Sequence, residues 1–290
     1  MKLILILLRL ISRLPLRVLY VFSDIIFFLN YYIIGYRKKV VLDNLRNSFP
    51  EKTEAEIKAI RKQFFRNFSD YIVETLKAMT ISETELRVRV QHINQEVFYE
   101  ALDEKRNIIL LTGHIFNWEW IIALASVIPQ KNCHPVYKKI NNSFWEEQMV
   151  KIRNKFGNQS LETNDVLRNI LRTPNDGNTA YMFVADQSPF VANVDVGTIF
   201  LHQKTPVFIG YDRLSTKMNL AFIYCDMKKV KRGFYQVNYY RIYPDEEKFT
   251  ELEVVKKFHI LLEETIKKNP DNYLWSHKRW KYAHAIKRII

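Results

Sequence analysis

Apolar positions change their spacing along the chain, and the changes mark three stretches. Residues 3–19 are apolar except at Arg9, Ser12, Arg13 and Arg17, and Pro15 breaks or restarts a helix there. A second run, 16–34, is interrupted only by Arg17, Ser23, Asp24 and Asn30 before the charges of Arg37, Lys38 and Lys39 close it. Its length is about that needed to cross a bilayer. Beyond a turn at 48–53, Ile57, Ile60, Phe64, Phe68, Ile72 and Leu76 recur every three or four residues, the stripe of an amphipathic helix. At that spacing Phe64, Phe65 and Phe68 are expected to pack into a core.

From residue 107 the pattern alternates. Short apolar runs at 107–112, 133–139, 179–187, 205–211, 219–225 and 236–242 read as strands. The intervening 118–127, 143–156 and 163–171, and the final 249–268, read as helices. Strands alternating with helices predict an α/β fold: a layered mixed or mostly parallel sheet flanked by helices, with an N-terminal membrane-associated helical segment. The expected organisation is a membrane-anchoring helical segment over 1–36 and a single α/β domain over 37–290, including a helical scaffold over 37–100.

Composition narrows the class. A chain of 290 residues that is 48% hydrophobic can bury a full core, and its 16 Tyr, 19 Phe and 5 Trp suit either a large core or a lipid–water boundary. The formal charge of +13 implies phosphate-bearing partners. Cys133 and Cys225 form neither a metal spacing nor a disulfide framework. No small-residue cleavage site follows the apolar start, so membrane attachment, monotopic or through one span, is expected in place of a removable signal. The basic flanks favour a cytoplasmic catalytic part, resting against anionic headgroups.

The candidate chemistry lies in NIILLTGHIFNWEW, residues 107–120. In open α/β sheets, sites gather beyond the carboxyl ends of strands, which is where His114 falls. Glu119 follows five residues later, about 140° away on a regular helix, so His114 must sit in the loop that Gly113 permits if the two are to meet. A neutral imidazole can take a hydroxyl proton, and Glu119 on its other nitrogen would fix the tautomer. Taken alone, the pair equally fits a structural histidine at a strand end and an acid at a helix N-terminus. There is no Gly-x-Ser-x-Gly nucleophile and no His-Glu-x-x-His zinc pattern, so direct attack by a substrate hydroxyl, with no metal and no cofactor, is expected. Lys138, Lys139, Arg153 and Arg213 are candidate phosphate contacts. No motif of a nucleic-acid module is present, so nucleic acid is not an expected partner.

GHIFNWEW resembles the signature of the lipid A biosynthesis acyltransferases, the lauroyl and myristoyl transferase family of the lysophospholipid acyltransferase-like superfamily. The likeness continues through YRKKVVLDNLRNSFPEKT, VYKKINNSFWEEQMVKIRNKFG, FVADQSP and PDNYLWSHKRWK, covering almost the whole chain in order. It implies that His114 is the general base and Glu119 its partner. Arg153 would bind phosphate or carrier, Asp186 and Gln187 would line the site, and Asn117 would be a substrate contact. Trp275, His277, Arg279, Trp280 and Lys281 would form a closing structural segment. Phe116 departs from the small residue that many relatives carry, which bears on the shape of the acyl or acceptor pocket. The implied reaction moves a fatty acyl group from acyl carrier protein, or another acyl thioester donor, to a hydroxyl of an anionic glycolipid, the lipid A precursor. The partners would be that donor, that acceptor and membrane lipids. The alternative is an acyltransferase acting on a lysophospholipid or an aminoacyl lipid.

Overall fold

Proline and the basic punctuation set the first helices. In the computed structural model, which describes residues 2–189 and 191–290, helix α1 (Lys2–Arg13) stops before Pro15 and α2 (Leu16–Phe28) restarts there, continuing as a π-helical turn over Leu29–Ile34. Met1 and Phe190 lie outside the described residues. Helix α3 (Lys38–Ser48) leads to α4 (Glu54–Lys77), the scaffold helix foreseen from the apolar stripe. Thr53 starts α4 with a capping box: its hydroxyl accepts the Glu56 N–H at 3.3 Å, and the Glu56 carboxylate accepts the Thr53 N–H at 2.8 Å. Phe64 and Phe65 are fully buried, as their spacing predicts.

The chain then runs through α5 (Glu83–Arg89), β1 (Val90–Ile93), α6 (Glu96–Asp103), β2 (Ile108–Thr112) and a 3₁₀ helix at Trp118–Ser126. It continues through β3 (Asn132–Tyr137), α7 (Ser143–Arg153), β4 (Leu161–Glu162), α8 (Thr163–Arg172) and β5 (Thr179–Val184). After β6 (Val196–Phe200), β7 (Gln203–Pro206) and α9 (Asp212–Ser215) come the long strands β8 (Ala221–Lys231) and β9 (Phe234–Ile242), then α10 (Glu253–Lys268) and the short β10 (Arg288–Ile289).

Seven strands form one sheet in the order β1-β9-β8-β2-β5-β3-β4, parallel throughout except for the β8–β9 hairpin. Every residue of β2 is buried, as a central parallel strand covered on both faces requires. The mixed α/β fold with flanking helices is thus the one expected. One strand differs: the run at 205–211 pairs only through Pro206, in a separate three-stranded sheet β10-β6-β7, and residues 207–211 line a cavity instead. A continuous apolar run signals burial on both sides, and a cavity wall meets that condition as well as a strand does.

Candidate active site

Strand register builds the site. Thr112 of β2 lies opposite Val184 of β5, so His114 and Asp186, each two residues further on, leave the sheet at the same level. The His114 Nδ1 sits 2.5 Å from Asp186 Oδ1, and the same oxygen accepts the His114 backbone N–H at 3.1 Å. Asp186 is 2% exposed. Burial works to raise its carboxyl, but the adjacent His114, its hydrogen bond and the Arg279 charge prevail, and the group lies well below the usual carboxylate range. An ionised carboxylate can only accept, so in the neutral imidazole Nδ1 carries the proton and Nε2 presents its lone pair. The Gln187 Nε2, at 2.9 Å, is the donor to that lone pair.

Close packing holds the histidine loop. The Leu274 N–H donates to the His114 carbonyl at 3.1 Å, the Phe116 N–H donates to the Asn272 carbonyl at 3.0 Å, and Ile115 pairs with Tyr273 as an antiparallel bridge. At Gly113 a Cβ would come within 2.5 Å of Leu262 Cδ1 on α10, so the residue serves close approach of a helix. The His114 ring meets Trp118 edge-on at 4.8 Å, and Trp118 stacks on Tyr71 of α4 at 4.3 Å.

Glu119 is not the partner of His114. It forms a two-point ion pair with Arg153 at the end of α7, at 2.7 and 3.2 Å, while Asp186 occupies the imidazole nitrogen that Glu119 was expected to take. The parallel neighbour β5 brings a carboxylate to His114 directly, and Glu119, in the first turn of the 3₁₀ helix, reaches the facing α7. Burial acts to lower the Arg153 guanidinium, but Glu119 overrides it and the group is raised. Asn117 also departs from its expected role as a substrate contact. It is fully buried, and its Nδ2 donates to Glu74 Oε2 of α4 at 3.0 Å. Phe116, expected to bear on pocket shape, packs instead against Phe64 and Tyr71 at 5.9 and 5.4 Å and is 1% exposed.

His114, Glu119, Arg153, Gln187, Lys138 and Arg213 all line one cavity of about 1130 Å³, while Asp186 stands behind His114. Apolar side chains of Ile122, Val136, Val166, Ile170, Met182 and Phe208 form much of its wall. Arg37, Lys278 and Lys281 add to the cations around it. Reading the tail as closing architecture missed its share in the site. His277 lines the cavity, and Arg279, 1% exposed, donates to Ser188 Oγ at 2.9 Å and to the Pro206 carbonyl at 2.7 Å. Burial, opposed by Asp186, pushes the His277 imidazole down to about 4.

An imidazole bonded to a buried carboxylate, beside a largely apolar cavity ringed by cations, is a site suited to an apolar chain attached to a charged group. The chain matches the sequence profile of the bacterial lipid A biosynthesis acyltransferases over residues 1–282, and it belongs to that family. It is accordingly an O-acyltransferase of lipid A biosynthesis, taking an acyl donor and a lipid acceptor. No curated protein matches the chain. Family membership and the apolar helix Leu16–Ile34, of which 22% is buried, make it membrane-associated.

Proposed function

We propose that His114 is the general base that transfers a fatty acyl chain from an acyl carrier protein thioester to a hydroxyl of the anionic glycolipid precursor of lipid A. The observation that carries this reading is the Asp186–His114–Gln187 chain, with Nδ1 bonded at 2.5 Å and Nε2 turned to a cavity wall of mixed apolar and basic character. Nε2 takes the acceptor hydroxyl proton as that oxygen forms its bond to the thioester carbonyl carbon. The carbon–sulfur bond then breaks, and the imidazolium returns the proton to the leaving thiolate, so the base is regenerated. Asp186 holds the tautomer and stabilises the imidazolium.

Gln187 has a second part in this reaction. Its Nε2 donates to the lone pair that the acceptor hydroxyl must engage. The hydroxyl displaces it, and the released amide can then donate to the carbonyl oxygen as negative charge develops there. Arg153, held by Glu119, and the exposed Lys138 and Arg213 face acceptor phosphate or the carrier. The basic run Arg37, Lys38 and Lys39 favours anionic headgroups at the cytoplasmic face of the inner membrane.

The test is mass spectrometry of lipids after purified enzyme in detergent meets a panel of acyl carriers and acceptors. A new ester on a lipid A precursor with wild-type enzyme, lost with His114→Asn, is expected. Acylation of only lysophospholipid or aminoacyl lipid would overturn the acceptor assignment, and full activity of His114→Asn would overturn the base.

A further inference from the structure

Helix α2 runs antiparallel to α4 and is tied to it along its length, and the end of α1 is tied to the turn that follows α4. Thr80 Oγ1 donates to the Ser12 carbonyl at 2.6 Å, and Lys77 Nζ to the Leu14 carbonyl at 3.1 Å. Further along, the Tyr20 hydroxyl donates to Glu74 Oε1 at 2.8 Å and Ser23 Oγ to Asp70 Oδ1 at 2.7 Å. The Arg66 guanidinium then covers the Phe27 ring at 5.1 Å. From β9's turn, Arg232 bonds both Asp24 of α2 and Asp70 of α4, at 2.6 and 2.7 Å, and Lys229 reaches Asp70 at 3.2 Å.

The other face of α2 is apolar and uncovered. Val18, Val21, Phe22, Ile25, Phe28 and Tyr32 fall on one stripe and are each between 42% and 58% exposed. Leu3, Ile6, Leu7 and Leu10 give α1 a similar face. A crossing helix over Leu16–Ile34 would carry Asp24 near its midpoint, and with it Asp70, Arg232 and Lys229, which are bonded together. Each ionised group at that depth carries a large desolvation cost. Pulling α2 away from α4 would leave buried Asp70 and Glu74 without the bonds from Ser23 and Tyr20. A helix lying in the interface meets neither cost, because only its apolar stripe enters, by about 5–10 Å. Arg9, Arg13, Arg17 and Lys39 are exposed and would face anionic headgroups. Just past the stripe, Arg37 donates to the Ser276 carbonyl at 2.7 Å and lines the catalytic cavity.

We propose that α1 and α2 lie flat in one leaflet without crossing it, and hold the cavity mouth at the level of the headgroups, so that the lipid acceptor reaches His114 without leaving the bilayer. This rests on the chain's membrane association and not on which residues perform the chemistry.

The experiment uses full-length chain in sealed membrane vesicles, with single cysteines at Arg13→Cys, Lys39→Cys and Glu51→Cys; native Cys133 and Cys225 are buried. A membrane-impermeant maleimide should label all three from the same side. Labelling of Arg13→Cys only from the side opposite to Glu51→Cys would establish a crossing and overturn the proposal. A polarity-sensitive dye on Ile25→Cys should be quenched more by lipids brominated near the headgroup than by lipids brominated at the chain ends. Disulfide-linked dimers through Val21→Cys, with the Ile25→Cys dye shielded from every brominated lipid, would make a second copy the occupant of this face and would also overturn it. Acyl transfer, measured in the same vesicles, reports separately on the catalytic reading.

Discussion

At His114 a single hydrogen bond decides which nitrogen can act. With Asp186 ionised against Nδ1, the Nε2 lone pair is the basic one, and losing the charge should cost much of the general-base benefit of about 10²–10⁴ in rate. Asp186→Asn is therefore expected to lower kcat by at least about 10²-fold at saturating substrates, within that general-base range. Glu119→Gln leaves the Nδ1 bond untouched and loosens Arg153, so its larger effect should be on KM. Steady-state kinetics on the two variants separates the roles. Wild-type kcat for Asp186→Asn, with a collapse for Glu119→Gln, would return Glu119 to the position of the base's partner.

The loop between β2 and the 3₁₀ helix packs against α10 at Gly113 and against α4 at Phe116, and each side gives a different signature when disturbed. Gly113→Ala forces a methyl against Leu262 and is expected to cost about 1–3 kcal/mol, measured by denaturant unfolding in detergent. Leu262→Val should recover part of it, whereas an unchanged midpoint for Gly113→Ala would show that α10 is free to move. Phe116 packs on α4 and not on the cavity. Phe116→Ala should thus destabilise by about 3–5 kcal/mol while leaving the preferred acyl chain length unchanged, as product mass spectrometry would show. A changed chain length would place Phe116 in the acyl pocket after all.

Over the whole molecule, buried imidazoles tie stability to pH. Burial pushes His259 down to about 4, and His92 and His277 move the same way for the same reason. Because the unfolded chain protonates these groups near 6.5 while the folded one keeps them neutral, stability is present above that pH. It is lost as pH falls from 6.5 towards 4. For His259 alone the loss between pH 7 and pH 5 is about 2 kcal/mol by this linkage. Unfolding of wild type and His259→Phe at the two pH values checks it: the variant should lose less stability on acidification, and equal losses would refute the assignment.

Periodicity alone determined the early helices, the stripe of α4 and the alternation that makes an α/β fold, because 3.6-residue and continuous apolar patterns report local burial directly. The quoted motifs were likewise sufficient for the family, since they are read along the chain in order. Partners were another matter. Glu119 stands five residues from His114, but the carboxylate that meets the ring lies 72 residues away, just past the end of β5, and Glu119 finds its cation 34 residues away on α7. In a parallel sheet neighbours are joined by crossovers, so which strand ends share a rim depends on strand order and register, and no local pattern encodes either. The FVADQ strand end was a visible signal, and the resemblance already put Asp186 and Gln187 at the site, yet only the pairing of Thr112 with Val184 set Asp186 on the His114 ring. The N-terminal run shows the same limit: its apolar length is a property of the sequence, while the polar seam that binds it to α4 is formed only when distant residues meet.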